Sequence, residues 1–284
     1  MLLAAADNLN AAADSVAEAL KNRDSETVRD LLARIIAAGA DIIDLNLGFR
    51  SRGAPKTADW LVRCVADATN KPLILDTADP EAMRAGLEAA HDLKLDPLPI
   101  INSFSLDPQK IAGMLPLAAE FNTSIVGYCV RDVVPQTPEE RLEVALELVA
   151  LADEAGVPRH DLYLDPILFP ISSFQGDVEN VLGFFPAIRE LFNPPVKTMV
   201  GLSNAGHRLH GSARTRVEAT LLSMLAALGL DIALLNILDP ELADTITALR
   251  SLRGDVLFAP ADLERHPKLD PGDHDARRNA REDL

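Results

Sequence analysis

Short carboxylates and amides recur where the apolar runs of this 284-residue chain end. Such runs, each about four to eight residues long, are typical of strands buried on both faces. Carboxylates accept pairs of hydrogen bonds, and amides both donate and accept them, so together they suit a flat polar heterocycle with an N–H edge. The polar residues at the ends of the runs are Asp7, Asn8, Asn10, Asn46, Asp76, Asn102, Tyr128, Asp165, Ser203, Asn204 and Asn236.

The stretch VGLSNAGHR, residues 200–208, places an amide at the end of one such run. Asn204 follows Gly201 by three residues and precedes Gly206 by two. We expect the two glycines to let the backbone approach a bound ring closely, because they carry no side chain.

Helix capping is the alternative explanation for Asp and Asn after a strand, because these residue types are preferred N-caps. Asp79 before Pro80 and Asp107 before Pro108 stand where a cap belongs, and this frees Asp76 and Asn102 for another role. By the same reasoning, Ser25 is the predicted cap of the helix that follows it.

Other chemistry is poorly supported. His207 and His210 are three residues apart in a glycine-flanked loop, but no third ligand follows nearby, so we predict no metal site. Ser103, Ser105 and Ser203 have no neighbouring histidine base and no G-x-S-x-G elbow, which argues against serine hydrolysis.

The composition is acidic, with 43 Asp and Glu against 27 Lys and Arg and a net charge of −16. This charge argues against binding nucleic acid or anionic membranes, which requires clustered cations. No apolar run reaches the roughly 18 residues of a membrane span, and the first residues lack the basic region of a signal peptide. Cys64 and Cys129 have apolar neighbours and are predicted to be buried free thiols. These features favour a cytoplasmic protein.

Eight predicted strands alternate with helical segments, which indicates a parallel sheet. Eight such units in about 250 residues predict a closed (β/α)8 TIM barrel over residues 1–260, followed by a charged tail at 261–284. A doubly wound open sheet is the second choice, although no strand is followed by a G-x-G-x-x-G or P-loop sequence. The strands are predicted at 2–6, 41–48, 72–76, 99–103, 124–130, 162–166, 197–201 and 232–236.

Taken in order, the strand-end motifs resemble the pterin-binding methyltransferases. The matching stretches are GADIIDLNLG (39–48), PLILDTADPEAMRAGL (72–87), PIINSFSLD (99–107), LYLDPILFP (162–170) and GLSN (201–204). The resemblance implies a TIM barrel that moves the N5-methyl group between methyltetrahydrofolate and the cobalt of cobalamin, carried by a partner corrinoid protein. It also implies a homodimer, and the apolar surplus of segment 213–229 is consistent with one.

The same resemblance implies a role for each matching residue. Asp76, Asn102 and Asp165 would hold the pterin through its 2-amino and ring N–H edge. Gly201 and Ser203 would line the pocket floor, and Asn204 would approach N5 as the catalytic amide alongside Asp76 and Asp165. Asn10 and His207 are the further expected binding residues. His207 stands where the family often has Gln, and Asp7 replaces the usual longer acid at strand 1.

Two alternatives share the scaffold. One is a condensing enzyme like dihydropteroate synthase, although the T-P-D-S-F loop is absent and Ser203-Asn204-Ala205 replaces that group's S-R-K. The other is a non-catalytic folate-binding barrel.

Overall fold

Eight parallel strands close into a barrel in which each strand pairs with its sequence neighbours and β1 pairs with β8. The computed structural model describes residues 1–48, 53–174 and 176–256. The predicted TIM barrel is confirmed, whereas the predicted tail at 261–284 and the end of the 1–260 domain lie outside the described residues. The strands are β1 Leu3–Asn10, β2 Ile42–Asn46, β3 Leu73–Asp76, β4 Ile100–Phe104, β5 Ile125–Tyr128, β6 Leu162–Asp165, β7 Lys197–Gly201 and β8 Ile232–Leu235.

Helices connect consecutive strands on the outside of the barrel. Proline in the first turn of several of them supplies a preset backbone angle and costs no hydrogen bond there. No helix in the described ranges is long and apolar enough to cross a membrane. The helices are α1 Asp14–Asn22, α2 Ser25–Ala37, α3 Ala54–Ala66, α4 Pro80–Asp92, α5 Pro108–Phe121, α6 Pro138–Glu154, α7 Asp177–Leu191, α8 Gly211–Ala227 and α9 Pro240–Arg253.

The strands bury both faces, which explains their near-continuous apolar sequences. One face packs against the helices and forms the larger core. The other face fills the barrel interior with a second cluster that includes Ala5, Ile42, Ile74, Val126 and Ile232. Since side chains alternate along a strand, the residues two or four positions later point into the same interior nearer the carboxyl ends. This alternation brings the polar strand-end residues to one mouth of the barrel.

The capping predictions had mixed outcomes. Asp79 and Asp107 cap α4 and α5, accepting from the backbone N–H groups of Glu81 and Gln109. Ser25 was the wrong residue for α2, because Asp24 is the N-cap and accepts from two backbone N–H groups of the first turn. Both cysteines are free and buried, as predicted.

Strand β1 is longer than predicted and carries the polar residues that were expected to follow it. Its pairing with β2 shifts register between Ala6 and Leu9. Asp7 and Asn8 lie within this irregularity, so the change of register turns short polar side chains toward the mouth.

Candidate active site

Four polar residues on neighbouring strands stand at one height of the barrel. Asn10 pairs with Asn46, Asn46 with Asp76, and Asp76 with Asn102. Paired residues on adjacent strands are about 4.8 Å apart, so the four side chains form a continuous arc around the mouth. The arc is held internally by a hydrogen bond of 2.7 Å from Asn46 Nδ2 to Asp76 Oδ2.

Asp7 connects the arc to the end of β7. Its carboxylate accepts from Asn10 Nδ2 at 2.6 Å and from Ser203 Oγ at 2.9 Å. Two expected binding residues, Asn10 and Ser203, are therefore partners of a residue that was expected only as a shortened substitute. Asp7 orders both of them around the mouth.

Asp165 lies on the side of the barrel mouth opposite the arc. It is 3% exposed, and its carboxylate accepts from the backbone N–H of Ile167 at 2.7 Å and of Gly201 at 3.4 Å. It thus links the end of β6 to the end of β7, directly below the segment that carries Asn204.

Asn204 lies in a short 3-10 helix, Leu202–Asn204, and its side chain is exposed at the mouth. A Cβ on Gly201 would lie 3.1 Å from Nδ2 of Asn204, so this glycine makes room for the amide. Gly206 has a different role from the one expected. A side chain there would overlap Glu218 and Arg214 of α8, so this glycine permits helix packing.

Asn102 is the most informative member of the arc. It is 1% exposed, yet neither Oδ1 nor Nδ2 has a hydrogen-bond partner in the described structure. A buried amide without partners costs free energy unless another molecule completes its hydrogen bonds. Asn102 therefore offers one donor and one acceptor to a ligand beside Asp76.

Asp44 is a site residue that the sequence reasoning missed. It is fully buried, and both carboxylate oxygens lack partners in the described structure. It stands two residues before Asn46 on β2 and so faces the same interior, one step below the arc. That spacing of two was the available signal, but Asp44 lies inside an apolar run that was interpreted as core.

Burial and mutual repulsion keep these acids from ionising easily. Burial, and then the charge of Asp7, raise the pKa of Asp76 to about 7 against an opposing effect of Lys110. Burial likewise raises the pKa of Asp165 to about 7. Burial, with Asp76 and Asp7 adding to it, raises the pKa of Asp44 well above its ordinary range. A ligand that donates N–H groups to these carboxylates would relieve both effects.

A cation stands beside this acidic mouth. Lys110, in the first turn of α5, places its Nζ 5.7 Å from the centroid of the Tyr128 ring. Burial raises the pKa of Tyr128 well above 10, and the charges of Asp76 and Asp165 add to that rise. Tyr128 therefore stays a neutral hydroxyl at the end of β5.

A buried ion pair holds the segment that follows Asp165 in place. Arg141 of α6 is fully buried and donates to Asp177 at 2.6 Å and to the carbonyl of Pro166 at 2.9 Å. Asp177 also accepts from the backbone N–H of Phe169 at 3.3 Å. The pair ties the segment after Asp165 to α6 and α7.

A cavity of about 850 Å³ opens beside the arc. Asn10, Asn46 and Asp76 line one part of it, and α1 and α3 form its walls. A cavity of this size holds a small organic molecule.

The two loop histidines lie apart from the polar residues at the mouth. His207 and His210 are exposed, and no hydrogen bond joins the His207 side chain to the other predicted site residues among those described. Within the described ranges, no three His, Cys, Asp or Glu residues are grouped so as to hold a metal ion. Asn8 and Asn236 pair with each other at 2.5 Å and so close the barrel between β1 and β8.

Comparison with known proteins gives a consistent set of matches. A family model described as pterin binding enzyme matches residues 7–236. Methylcorrinoid:tetrahydrofolate methyltransferase of Eubacterium limosum is 24% identical over 251 residues, which are 87% of this chain and 90% of that protein. Methionine synthase of Mycobacterium leprae is 26% identical over 229 residues, which are 77% of this chain and only 19% of that much longer enzyme.

Solved structures with the same fold include dihydropteroate synthases. That of Xanthomonas albilineans with 4-aminobenzoic acid has a TM-score of 0.63 and 18% identity, covering 91% of this chain and 92% of that chain. That of Yersinia pestis has a TM-score of 0.61 and 16% identity, covering 89% and 93%. At these identities the likeness is one of fold.

Proposed function

The chain belongs to the family of pterin binding enzymes, as its strand-end motifs predicted, and from this premise we propose that it is a methyltransferase. It would move the N5-methyl group between methyltetrahydrofolate and the cobalt of a corrinoid protein. The relative from Eubacterium limosum supports this choice, because its name states that chemistry and the similarity spans nearly the whole of both chains. The structural observation that carries the proposal is the unpartnered amide of Asn102 between two hard-to-ionise carboxyl groups.

Ring recognition follows from the hydrogen-bonding capacity of these side chains. A pterin presents a 2-amino group and an adjacent ring N–H as parallel donors, which a carboxylate accepts in pairs. Asp76 and Asp165 are the candidate acceptors, and Asn102 supplies both a donor and an acceptor to the ring edge. Binding of these donors favours the charged carboxylates and so offsets part of the cost of their burial.

Asn204 is the proposed catalytic amide. The bond between N5 and the methyl carbon breaks more readily if N5 gains a proton or a strong hydrogen bond as the electrons return to it. An amide does not titrate, yet it can rotate between donor and acceptor as the protonation of N5 changes. It therefore favours the transition state over the bound substrate. The lack of a side chain on Gly201 lets this amide lie close to the backbone at the end of β7.

The corrinoid is the second substrate and arrives on its own protein. Its cobalt(I) is the nucleophile that takes the methyl group, so this chain needs no nucleophile of its own. A nucleophile supplied by the partner is consistent with a mouth lined by carboxyl and amide groups.

The condensing enzyme and the folate-binding barrel are separated from this proposal by their reactions. A condensing enzyme would join a pterin pyrophosphate to 4-aminobenzoate and would need to hold a pyrophosphate anion. At the positions of the S-R-K sequence of that group this chain has Ser203, Asn204 and Ala205, which carry no positive charge for that anion.

The test mixes the purified protein with methyltetrahydrofolate and cobalt(I) cobalamin under anaerobic conditions. The expected result is loss of the cobalt(I) absorbance with formation of methylcobalamin and tetrahydrofolate in equal amounts. Persistence of cobalt(I) together with folate binding would favour the non-catalytic barrel. A second incubation contains the pterin pyrophosphate and 4-aminobenzoate, and formation of dihydropteroate there would instead establish the condensing reaction.

A further inference from the structure

A second cavity lies at the opposite end of the barrel, where the strands begin. Its volume is about 590 Å³, which is within the range of small-molecule sites. Tyr163 of β6, the segment before β4 and the segment before β5 form part of its lining. The first residues of five strands form another part, and they are Leu3, Ile42, Leu73, Ile100 and Lys197.

One step along the strands separates this cavity from the polar residues of the mouth. Ile42, Ile100 and Tyr163 line the cavity, and each stands two residues before a buried polar residue of the same strand. Because side chains alternate along a strand, both members of each pair point into the barrel interior, about 6.6 Å apart. The cavity is therefore a site separate from the candidate active site. The later members of the pairs are Asp44, Asn102 and Asp165.

Lys197 is half-buried in the wall of this cavity and has a neutral partner. Its Nζ donates to Oη of Tyr163 at 3.4 Å and lies 5.0 Å from the centroid of that ring. No carboxylate of the described chain forms an ion pair with Lys197, although the protein is strongly acidic. A charge that is partly removed from water is stabilised by a counter-ion, so this ammonium group favours an anion in the cavity.

The acids around the cavity either have partners of their own or face water. Asp41 forms an ion pair with Arg250. Asp161 accepts from Oγ of Ser124 at 2.9 Å. Asp96 is exposed. The ammonium group of the lysine is therefore the charge in this lining that a ligand would neutralise.

Much of the remaining lining is apolar and suits the hydrocarbon part of a ligand. Burying an apolar group against such walls is favourable because it removes the group from water. The walls beside the strand ends are formed by Leu73, Leu95, Leu98, Ile100 and Phe121.

We propose that this cavity binds a small monocarboxylate with an apolar body, of the aryl-alkyl or branched-chain type. Lys197 would hold the carboxylate as a point charge, and the hydroxyl of Tyr163 would donate a hydrogen bond to it. The apolar walls would take the body of the molecule. This second site is additional to the methyltransferase proposal and does not depend on it.

The experiment titrates 3-phenylpropionate into protein whose methionine methyl groups carry ¹³C, followed by NMR. Met199 lies two residues after Lys197 and belongs to the interior cluster that contains three residues of the cavity wall. Met83 and Met114 lie in the larger core between strands and helices and serve as internal references. The variant Met199→Leu identifies the signal.

The expected result is a saturable shift of the Met199 signal, with a dissociation constant of about 1 mM or lower. The neutral 3-phenylpropionamide should bind about tenfold more weakly. Lys197→Met should bind the anion as weakly as the amide, and should bind the amide within about twofold of the wild type. The matched control is Lys110→Met, because Lys110 also stands beside a tyrosine ring but at the other end of the barrel. It should bind both compounds as the wild type does.

Other outcomes overturn the proposal in separable ways. An unchanged Met199 signal, or equal wild-type affinity for the anion and the amide, would show that the cavity takes no carboxylate. Weaker binding of 3-phenylpropionate to Lys110→Met would place the compound at the catalytic mouth. Tighter binding of 2-phenylethylamine than of 3-phenylpropionate would assign the cavity to a cation held by its acids. If Lys197→Met does not fold, the wild-type preference for the anion over the amide decides the question.

Discussion

Replacing Asp165 by Asn should change the pH dependence of stability. Asp165 has a pKa of about 7 in the folded protein because of its burial, against about 3.9 for an aspartate in an unfolded chain. Below about pH 4 both states carry the proton, and the carboxyl group costs nothing. Between about pH 4 and pH 7 the unfolded chain has lost the proton while the folded chain keeps it, so stability falls as the pH rises.

The size of the effect follows from the difference in pKa. Each unit corresponds to about 1.4 kcal/mol, so the full cost above pH 7 approaches about 4 kcal/mol. The effect grows from pH 5 up to the folded pKa of about 7 and then levels off. The range from pH 5 to pH 8.5 therefore includes about two pH units of change, which corresponds to about 3 kcal/mol. Asn keeps an acceptor for Ile167 and loses only the longer contact with Gly201, at a cost of about 1 kcal/mol that does not depend on pH.

The assay is equilibrium unfolding by urea at both pH values, with no ligand present. The free energy of unfolding of Asp165→Asn, relative to wild type, should increase by about 3 kcal/mol from pH 5 to pH 8.5. The control is Asp132→Asn, an exposed carboxyl in the loop after β5, which should show no such trend. A difference between Asp165→Asn and wild type that is the same at both pH values would refute the reasoning. The same variant should bind folate more weakly, since it has lost the charged acceptor.

Three further outcomes are expected. Asn204→Ala should lower the rate of methyl transfer about 10²–10³-fold while weakening folate binding much less. Asn204→Asp should transfer the methyl group slowly at neutral pH and recover as the pH falls. Stopped-flow decay of cobalt(I) measures the rate, and a folate titration measures the affinity. Arg141→Leu should lower the free energy of unfolding by about 3–5 kcal/mol because Asp177 is left buried and unpaired, and Arg141→Leu/Asp177→Leu should recover much of it in urea unfolding. Light scattering at micromolar concentration should give the mass of a homodimer, and a monomer would contradict that expectation.

The barrel was predictable because its evidence is local. Continuous apolar runs mark strands buried on both faces, and their alternation with helical segments indicates parallel order. The position of Asp76 and Asn102 was also predictable, because Asp79 and Asp107 already stood at the cap positions. The cap of α2 was misassigned by one residue, since Asp24 and Ser25 are both good cap residues and the sequence alone does not choose between them.

The missed residues depend on contacts between distant parts of the chain. Arg141 falls on the apolar face of α6 together with Val144, Ala145 and Leu148, which was a visible anomaly. Its partner, Asp177, lies 36 residues away, and nothing local connects the two. Asp44 was hidden for a related reason, because the order of polar and apolar layers inside a barrel is set by the register of all its strands.

The ion pair between Arg141 and Asp177 affects how molecules enter and leave the barrel mouth. It fastens the segment from Pro166 to Phe169 to two helices at once, so this side of the rim resists opening. The amide hydrogens of Ile167 and Phe169 should therefore exchange slowly with solvent, since exchange requires local opening of the structure. We therefore expect substrate to enter and leave on the other side of the described mouth, beside the cavity between α1 and α3.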